Sequence, residues 1–301
     1  MSEAAIQIHD VGMRDGLQME SEVVPTEVKI VWMESLLRSG IDMLQVGSFV
    51  HPKRVPQMAD TDELFHRIQS EGPPRNCILS GLALNEKGVD RGLACGVEMF
   101  CLGVSASETH SVKNTGMSTT EATRRIIAMA RLALSEGRRV QVSVQSAFGC
   151  GFEGPVSEAT VLGIVDRYLE AGLTEVSLAD TAGHGDPRQV YRLFKEIVRR
   201  APAATLACHF HNTYGMALAN CVAALDAGVT CFESSVAGLG GCPFTAMAGG
   251  NVCTEDLVHM LQRMGSCSQV HLPVLIDLAR EIARYLGRDL PGTVYRTGAI
   301  G

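Results

Sequence analysis

Short apolar, β-prone runs alternate with longer stretches of helical periodicity along this chain, and that alternation sharply limits its possible folds. The β-prone runs fall at residues 6–11, 43–47, 77–82, 97–102, 139–146, 175–179, 205–211 and 231–235. Helix-periodic stretches lie between and after them, at 26–39, 55–70, 86–95, 119–136, 157–171, 187–200 and 216–227. Gly40, Gly137, Gly172 and Gly228 each follow a helical stretch directly, where the backbone turns left-handed to leave a helix. Strand–helix units in unbroken alternation wind as parallel β/α structure. Eight such units, with no Gly-x-Gly-x-x-Gly after the first strand, predict a closed (β/α)8 TIM barrel rather than an open dinucleotide-binding sheet. Further helical stretches follow at 254–264 and 273–286. The expected organisation is one TIM-barrel domain over 1–301, with about 252–301 as a C-terminal helical extension and a loose tail from Arg288 onward.

With 301 residues, 46% of them hydrophobic, the chain has material for one large core, close to the roughly 250 residues of a typical barrel. Its formal net charge of −7, without long runs of either sign, argues against a nucleic-acid partner. The ten cysteines show no C-x-x-C pair of zinc-ribbon spacing. Cys95, Cys101, Cys208, Cys221 and Cys231 sit in apolar stretches and read as small core hydrophobes. No apolar run approaches the ~18 residues of a membrane span, and the first residues lack a secretory or organelle leader. The expected location is a reducing cytoplasm, away from membranes.

The chemistry gathers at strand ends. The seventh run finishes in His209-Phe210-His211, and residues i and i+2 of a strand share a face, so both imidazoles aim one way and can share a divalent metal. The first run finishes in Met13-Arg14-Asp15-Gly16, where Arg14 offers a permanent charge for an oxyanion and Asp15 a hard oxygen ligand; a surface ion pair is the plainer alternative. Asp180, at the mouth of the sixth run, suits either orienting a ligand histidine or substrate, or capping a turn. Cys242 differs from the other cysteines: it follows Gly238-Leu239-Gly240-Gly241 and precedes a proline, a loop position suited to proton transfer. Asn251, nine residues on, supplies an amide oxygen. Two imidazoles, a carboxylate and an amide oxygen select Mg²⁺ or Mn²⁺, with Zn²⁺ ranked behind. Metal, arginine and thiol together suit the breaking or making of a carbon–carbon bond next to a carbonyl. The glycine loop lacks the Lys-Ser/Thr of a phosphate cradle.

These segments resemble the 3-hydroxy-3-methylglutaryl-CoA lyase family, a group of metal-dependent TIM-barrel enzymes. The resemblance rests on Val11-Gly12-Met13-Arg14-Asp15-Gly16-Leu17-Gln18, His209-Phe210-His211-Asn212-Thr213-Tyr214-Gly215 and Ser235-Val236-Ala237-Gly238-Leu239-Gly240-Gly241-Cys242-Pro243, and it runs from about Ile6 to about Leu286. It implies Asp15, His209, His211 and Asn251 as metal ligands, Arg14 as the transition-state arginine and Cys242 as the acid/base thiol. It also implies Asp180 near the metal, Gln18 close to the acyl group, an acyl-CoA thioester substrate and a homodimer. Three positions depart from the family pattern: Gln45 stands where the lyases carry a functional glutamate, Asn212 where an aspartate is usual, and Ser21 where some carry a lysine. They bear on the substrate more than on the chemistry.

The expected activity is retro-Claisen cleavage of 3-hydroxy-3-methylglutaryl-CoA to acetyl-CoA and acetoacetate, with Gln45 among the catalytic residues. A related thioester such as citramalyl-CoA is an alternative substrate, and a condensing synthase of the same superfamily is an alternative enzyme. A homologue that binds CoA or a partner protein without turnover is the reading from outside enzymology.

Overall fold

Runs rich in Val, Leu, Ile and Phe suit parallel strands buried on both sides, and these become the wall of a barrel. In the computed structural model, which describes residues 5–70, 72, 76–241 and 249–300, eight parallel strands close in chain order, the last pairing with the first. They are β1 (Gln7–Asp10), β2 (Met43–Ser48), β3 (Ile78–Leu82), β4 (Met99–Ser105), β5 (Arg139–Gln145), β6 (Glu175–Asp180), β7 (Thr205–Phe210) and β8 (Cys231–Ser234). The fold is the expected (β/α)8 TIM barrel, and each strand overlaps its predicted run.

The helices are α1 (Thr26–Arg38), α2 (Thr61–Ser70), α3 (Glu86–Ala94), α4 (Glu108–Thr115), α5 (Thr119–Ser135), α6 (Glu158–Glu170), α7 (Pro187–Arg200) and α8 (Ala217–Ala227). After β8 come α9 (Thr254–Arg263), α10 (Leu272–Leu286) and the short α11 (Val294–Thr297). The stretch 55–70 is not one helix: a 3-10 turn at Pro56–Met58 precedes α2, because the Thr61 hydroxyl donates to the carbonyls of Met58 and Ser48 and turns the chain there. Helix α4 escapes periodicity because it is short and polar. Its ends hold it instead, with Ser107 Oγ accepting from His110 N–H at 3.1 Å and Gly116 leaving at φ 75°.

The tail from Arg288 is packed, not loose. Leu290, Val294 and Tyr295 are buried, Tyr295 Oη accepts from the Leu290 amide at 3.0 Å, and the Asp256 carboxylate accepts from the amides of Thr293 and Val294. Sparse periodicity hides this, because the tail is fixed by backbone groups meeting side chains of α9. Helix α10 lies along α1, where Trp32 Nε1 donates to Glu281 and the indole meets the edge of Tyr285 with centroids 5.3 Å apart.

Side-chain alternation divides the strands into two cores. Outward residues such as Ile8, Leu44, Leu79 and Phe232 join the large apolar cluster under the helices. Inward, Met43, Met99, Cys101, Ala207 and Cys231 form a separate apolar plug. Toward the carboxyl ends the inward positions turn polar, with Gln45, Ser80, Gln141, Ser177, His209 and Glu233 all buried. A dry floor under a polar layer is what positions the site.

Candidate active site

The loop after β1 winds into a single π-helical turn, Gly12–Gly16, in which the Val11 carbonyl accepts from the amides of Arg14, Asp15 and Gly16. Glycine is required at its start, since a Cβ on Gly12 would stand 2.9 Å from Asp10 Oδ1. Asp10 is the anchor: its carboxylate accepts from Gly12 N–H at 2.8 Å, Val236 N–H at 2.9 Å and Thr254 Oγ1 at 2.7 Å. It thereby ties the ends of β1 and β8 to the start of α9. The turn delivers Arg14 and Asp15 to the mouth of the barrel.

Asp15 stands at the centre of the cluster. Its Oδ2 lies 3.9 Å from His209 Nε2 and 3.7 Å from His211 Nε2, and accepts from Asn251 Nδ2 at 2.8 Å. Asn251, forty residues beyond His211, is brought there by an isolated antiparallel bridge between the two, flanked by Asn212 N–H to Gly250 O at 2.8 Å and Val252 N–H to Phe210 O at 2.9 Å. Gly240, at φ 112°, leaves the room: a Cβ there would come within 2.6 Å of Asn251 Nδ2.

The donor set fits a hard divalent cation. Single ligand atoms of Asp15, His209 and His211 lie within 4.8 Å of one another, and Asn251 Oδ1 is buried without a hydrogen-bond partner among the described residues. Burial would raise Asp15, but the Arg14 guanidinium and the two imidazoles hold it well below the usual carboxylate range. Burial, aided by the charge of His209, lowers His211 to about 4, so its ring is neutral as a ligand must be.

Arg14 donates through Nε to Gln45 Oε1 and through Nη1 to Asp15. Gln18 Nε2 donates to Asp15 Oδ1 at 3.0 Å, so Gln18 braces a candidate ligand while also lining the cavity. The Asp180 carboxylate accepts from the amides of His184 and Gly185, both at 2.9 Å, and fixes the turn after β6. Cys242 lies outside the described residues.

One site residue is absent from the sequence reading. Glu233, on β8, accepts from His209 Nδ1–H at 3.1 Å, and its other oxygen accepts from Gln141 Nε2 and from Ser177 Oγ at 2.8 Å. Burial would raise its pKa; the hydrogen bond and charge of His209 bring it down to about 2. Its signal was available, as a lone acid inside an apolar strand. The registry that pairs it with His209 is visible only once the barrel closes. The cavity above these residues, about 540 Å³, is lined by Arg14, Asp15, Gln45, His209, His211 and Glu233 and opens past Val50, Val55 and Pro56.

The model of the HMGL-like family matches residues 5–282. The chain belongs to the HMGL-like family. It is 37% identical over 286 residues to a hydroxymethylglutaryl-CoA lyase of Bacillus subtilis, covering 95% of both chains. It is 39% identical over 289 residues to the mitochondrial hydroxymethylglutaryl-CoA lyase of Homo sapiens, covering 96% of this chain and 88% of that one. Among solved structures it superposes with a TM-score of 0.92 on an HMG-CoA lyase from Acinetobacter baumannii in complex with coenzyme A and 3-methylmalate, at 35% identity over 99% of this chain and 97% of the other. The candidate site sits where barrel enzymes place theirs, at the carboxyl ends of the strands.

Proposed function

We propose that this protein is a divalent-cation-dependent carbon–carbon lyase that cleaves 3-hydroxy-3-methylglutaryl-CoA to acetyl-CoA and acetoacetate. The observation that carries this reading is the convergence of Asp15, His209, His211 and Asn251 beneath Arg14 at the mouth of a barrel whose relatives are lyases for that thioester. Mg²⁺ or Mn²⁺ suits these hard donors better than Zn²⁺, and the bound cation would polarise the substrate hydroxyl and lower its pKa.

Cleavage breaks the bond between C2 and C3. The C3 hydroxyl loses its proton and becomes the ketone of acetoacetate, while C2 keeps the bonding pair as a thioester enolate and then takes up a proton to give acetyl-CoA. One proton leaves and one is gained, so no redox partner is needed. Arg14 stabilises the enolate oxygen, and its hydrogen bonds to Gln45 and Asp15 fix the guanidinium before substrate arrives. Gln18 steadies Asp15 beside the acyl group. Cys242 delivers the proton to C2, a role assigned from its loop in the sequence. Asp180 acts through the turn it caps. The nine described cysteines are unpaired, which supports a reducing, cytoplasmic setting, and no described helix is long and apolar enough to cross a membrane. The working form is a homodimer, which sedimentation would check.

The test is acetyl-CoA release from a panel of thioesters with Mg²⁺. Release from 3-hydroxy-3-methylglutaryl-CoA first among them is expected, and preference for citramalyl-CoA would reassign the substrate. No release from any, with metal shown to be bound, would sink the lyase reading. Cys242→Ser should cripple a lyase, whereas a synthase would keep most of its activity.

A further inference from the structure

Glu233 has no part in the reaction steps above, yet it is buried at 9% exposure and each of its oxygens is engaged. One oxygen faces His209 Nδ1 at 3.1 Å; the other faces two donors, Ser177 Oγ at 2.8 Å and Gln141 Nε2. A carboxylate only accepts, so every group pointed at it must donate. The neutral His209 ring is therefore held with its proton on Nδ1, which leaves Nε2 bare on the side of Asp15, 3.9 Å away.

We infer that Glu233 is a positioning residue that sets the tautomer of His209 and so makes that ring a metal ligand. This rests on the cation site proposed above and adds to it the reason His209 presents the right nitrogen. A neutral amide at 233 cannot serve both sides. With its oxygen toward Ser177 and Gln141, its NH₂ faces His209 and forces the proton onto Nε2, where a cation cannot bind. With its oxygen toward His209, its NH₂ faces two donors and leaves them unpaired. Glu233 lies directly opposite His209 in the pairing of β7 with β8.

Two measurements test this. Two-bond ¹H–¹⁵N correlation spectra of the metal-free protein at alkaline pH should show His209 protonated at Nδ1 in wild type and in Glu233→Asp, and at Nε2 in Glu233→Gln. Mn²⁺ titration should show Glu233→Gln binding roughly 10- to 100-fold more weakly than wild type, with Glu233→Asp recovering most of the loss. Wild-type His209 protonated at Nε2 would overturn the inference without any variant having to fold. So would equal Mn²⁺ affinity in wild type and Glu233→Gln. Wild-type protein that binds no Mn²⁺ yet shows the Nδ1 tautomer would overturn the cation site itself, and with it the purpose assigned to Glu233.

Discussion

Asp15 and Glu233 share one end of the barrel with Asp10, Asp180 and Glu255, and all five carboxyl groups are buried. Burial pushes every one of them toward the neutral form, yet the two groups end on opposite sides of the carboxylate range. Asp15 faces the Arg14 guanidinium, Glu233 accepts a hydrogen bond from His209, and both are held low, Glu233 at about 2. Asp10 and Asp180 meet backbone amides and, for Asp10, a hydroxyl, and rise to about 6. Glu255, which accepts from Ala237 N–H at 2.9 Å, rises to about 7. The first group is charge kept ready for a cation; the second is scaffold, spending its oxygens on holding loops.

Removing the cation site should have the largest effect. His211→Ala is expected to abolish Mn²⁺ binding and cut acetyl-CoA release by about a thousandfold or more, the scale of a lost Lewis acid; a variant with wild-type turnover would erase the distinction between the two groups. Arg14→Gln should lower kcat by roughly 10²- to 10³-fold while Mn²⁺ still binds, as for a lost oxyanion donor. Calorimetry alongside turnover separates those two outcomes.

On the scaffold side the effect moves from activity to stability. Asp180 is protonated in the folded chain up to about pH 6 but ionised in the unfolded chain above its ordinary value of 3.8. Its contribution is therefore complete below pH 3.8 and is lost as pH rises through about 6. Urea unfolding of Asp180→Asn should lack that decline, worth about 3 kcal/mol between the two limits, while turnover stays within tenfold of wild type. A collapse of turnover with unchanged stability would move Asp180 into the reacting group. Tyr295→Phe, in the C-terminal tail, removes the hydroxyl's two hydrogen bonds with the Leu290 backbone. It should cost about 1 kcal/mol and lower Tm by about 2 °C; no shift would mean that the tail contributes nothing.

The barrel was legible because buried parallel strands leave an unmistakable apolar run and helices a period, and both recur eight times. The candidate cluster was legible because residues of that type have few other uses, with His209 and His211 on one strand face and Asp15 in a glycine-bracketed turn, and the fold brings ligand atoms of the three within 4.8 Å of one another. Glu233 was not, because its meaning depends on which strand lies beside it, and β7 and β8 acquire their registry only on closure. Asp180 divided between two roles for a related reason: a carboxylate before a glycine turn reads the same whether its oxygens meet a ligand histidine or the amides of residues 184 and 185. The tail was misread because Asp256 and Tyr295 fix it through backbone groups, which leave no periodic trace.

The contrast between charged site and scaffold can be put to one measurement. Two clusters among the described residues have metal-like spacing, Asp15 with His209 and His211, and Cys253 with Glu255 and Asp256. In the second, both Asp256 oxygens already accept from the amides of Thr293 and Val294. Anomalous diffraction from crystals grown with Mn²⁺ should therefore show one peak per chain, between Asp15, His209, His211 and Asn251, and none at Cys253. A peak at Cys253 and Glu255, or an empty site at Asp15 in metal-saturated crystals, would contradict the account.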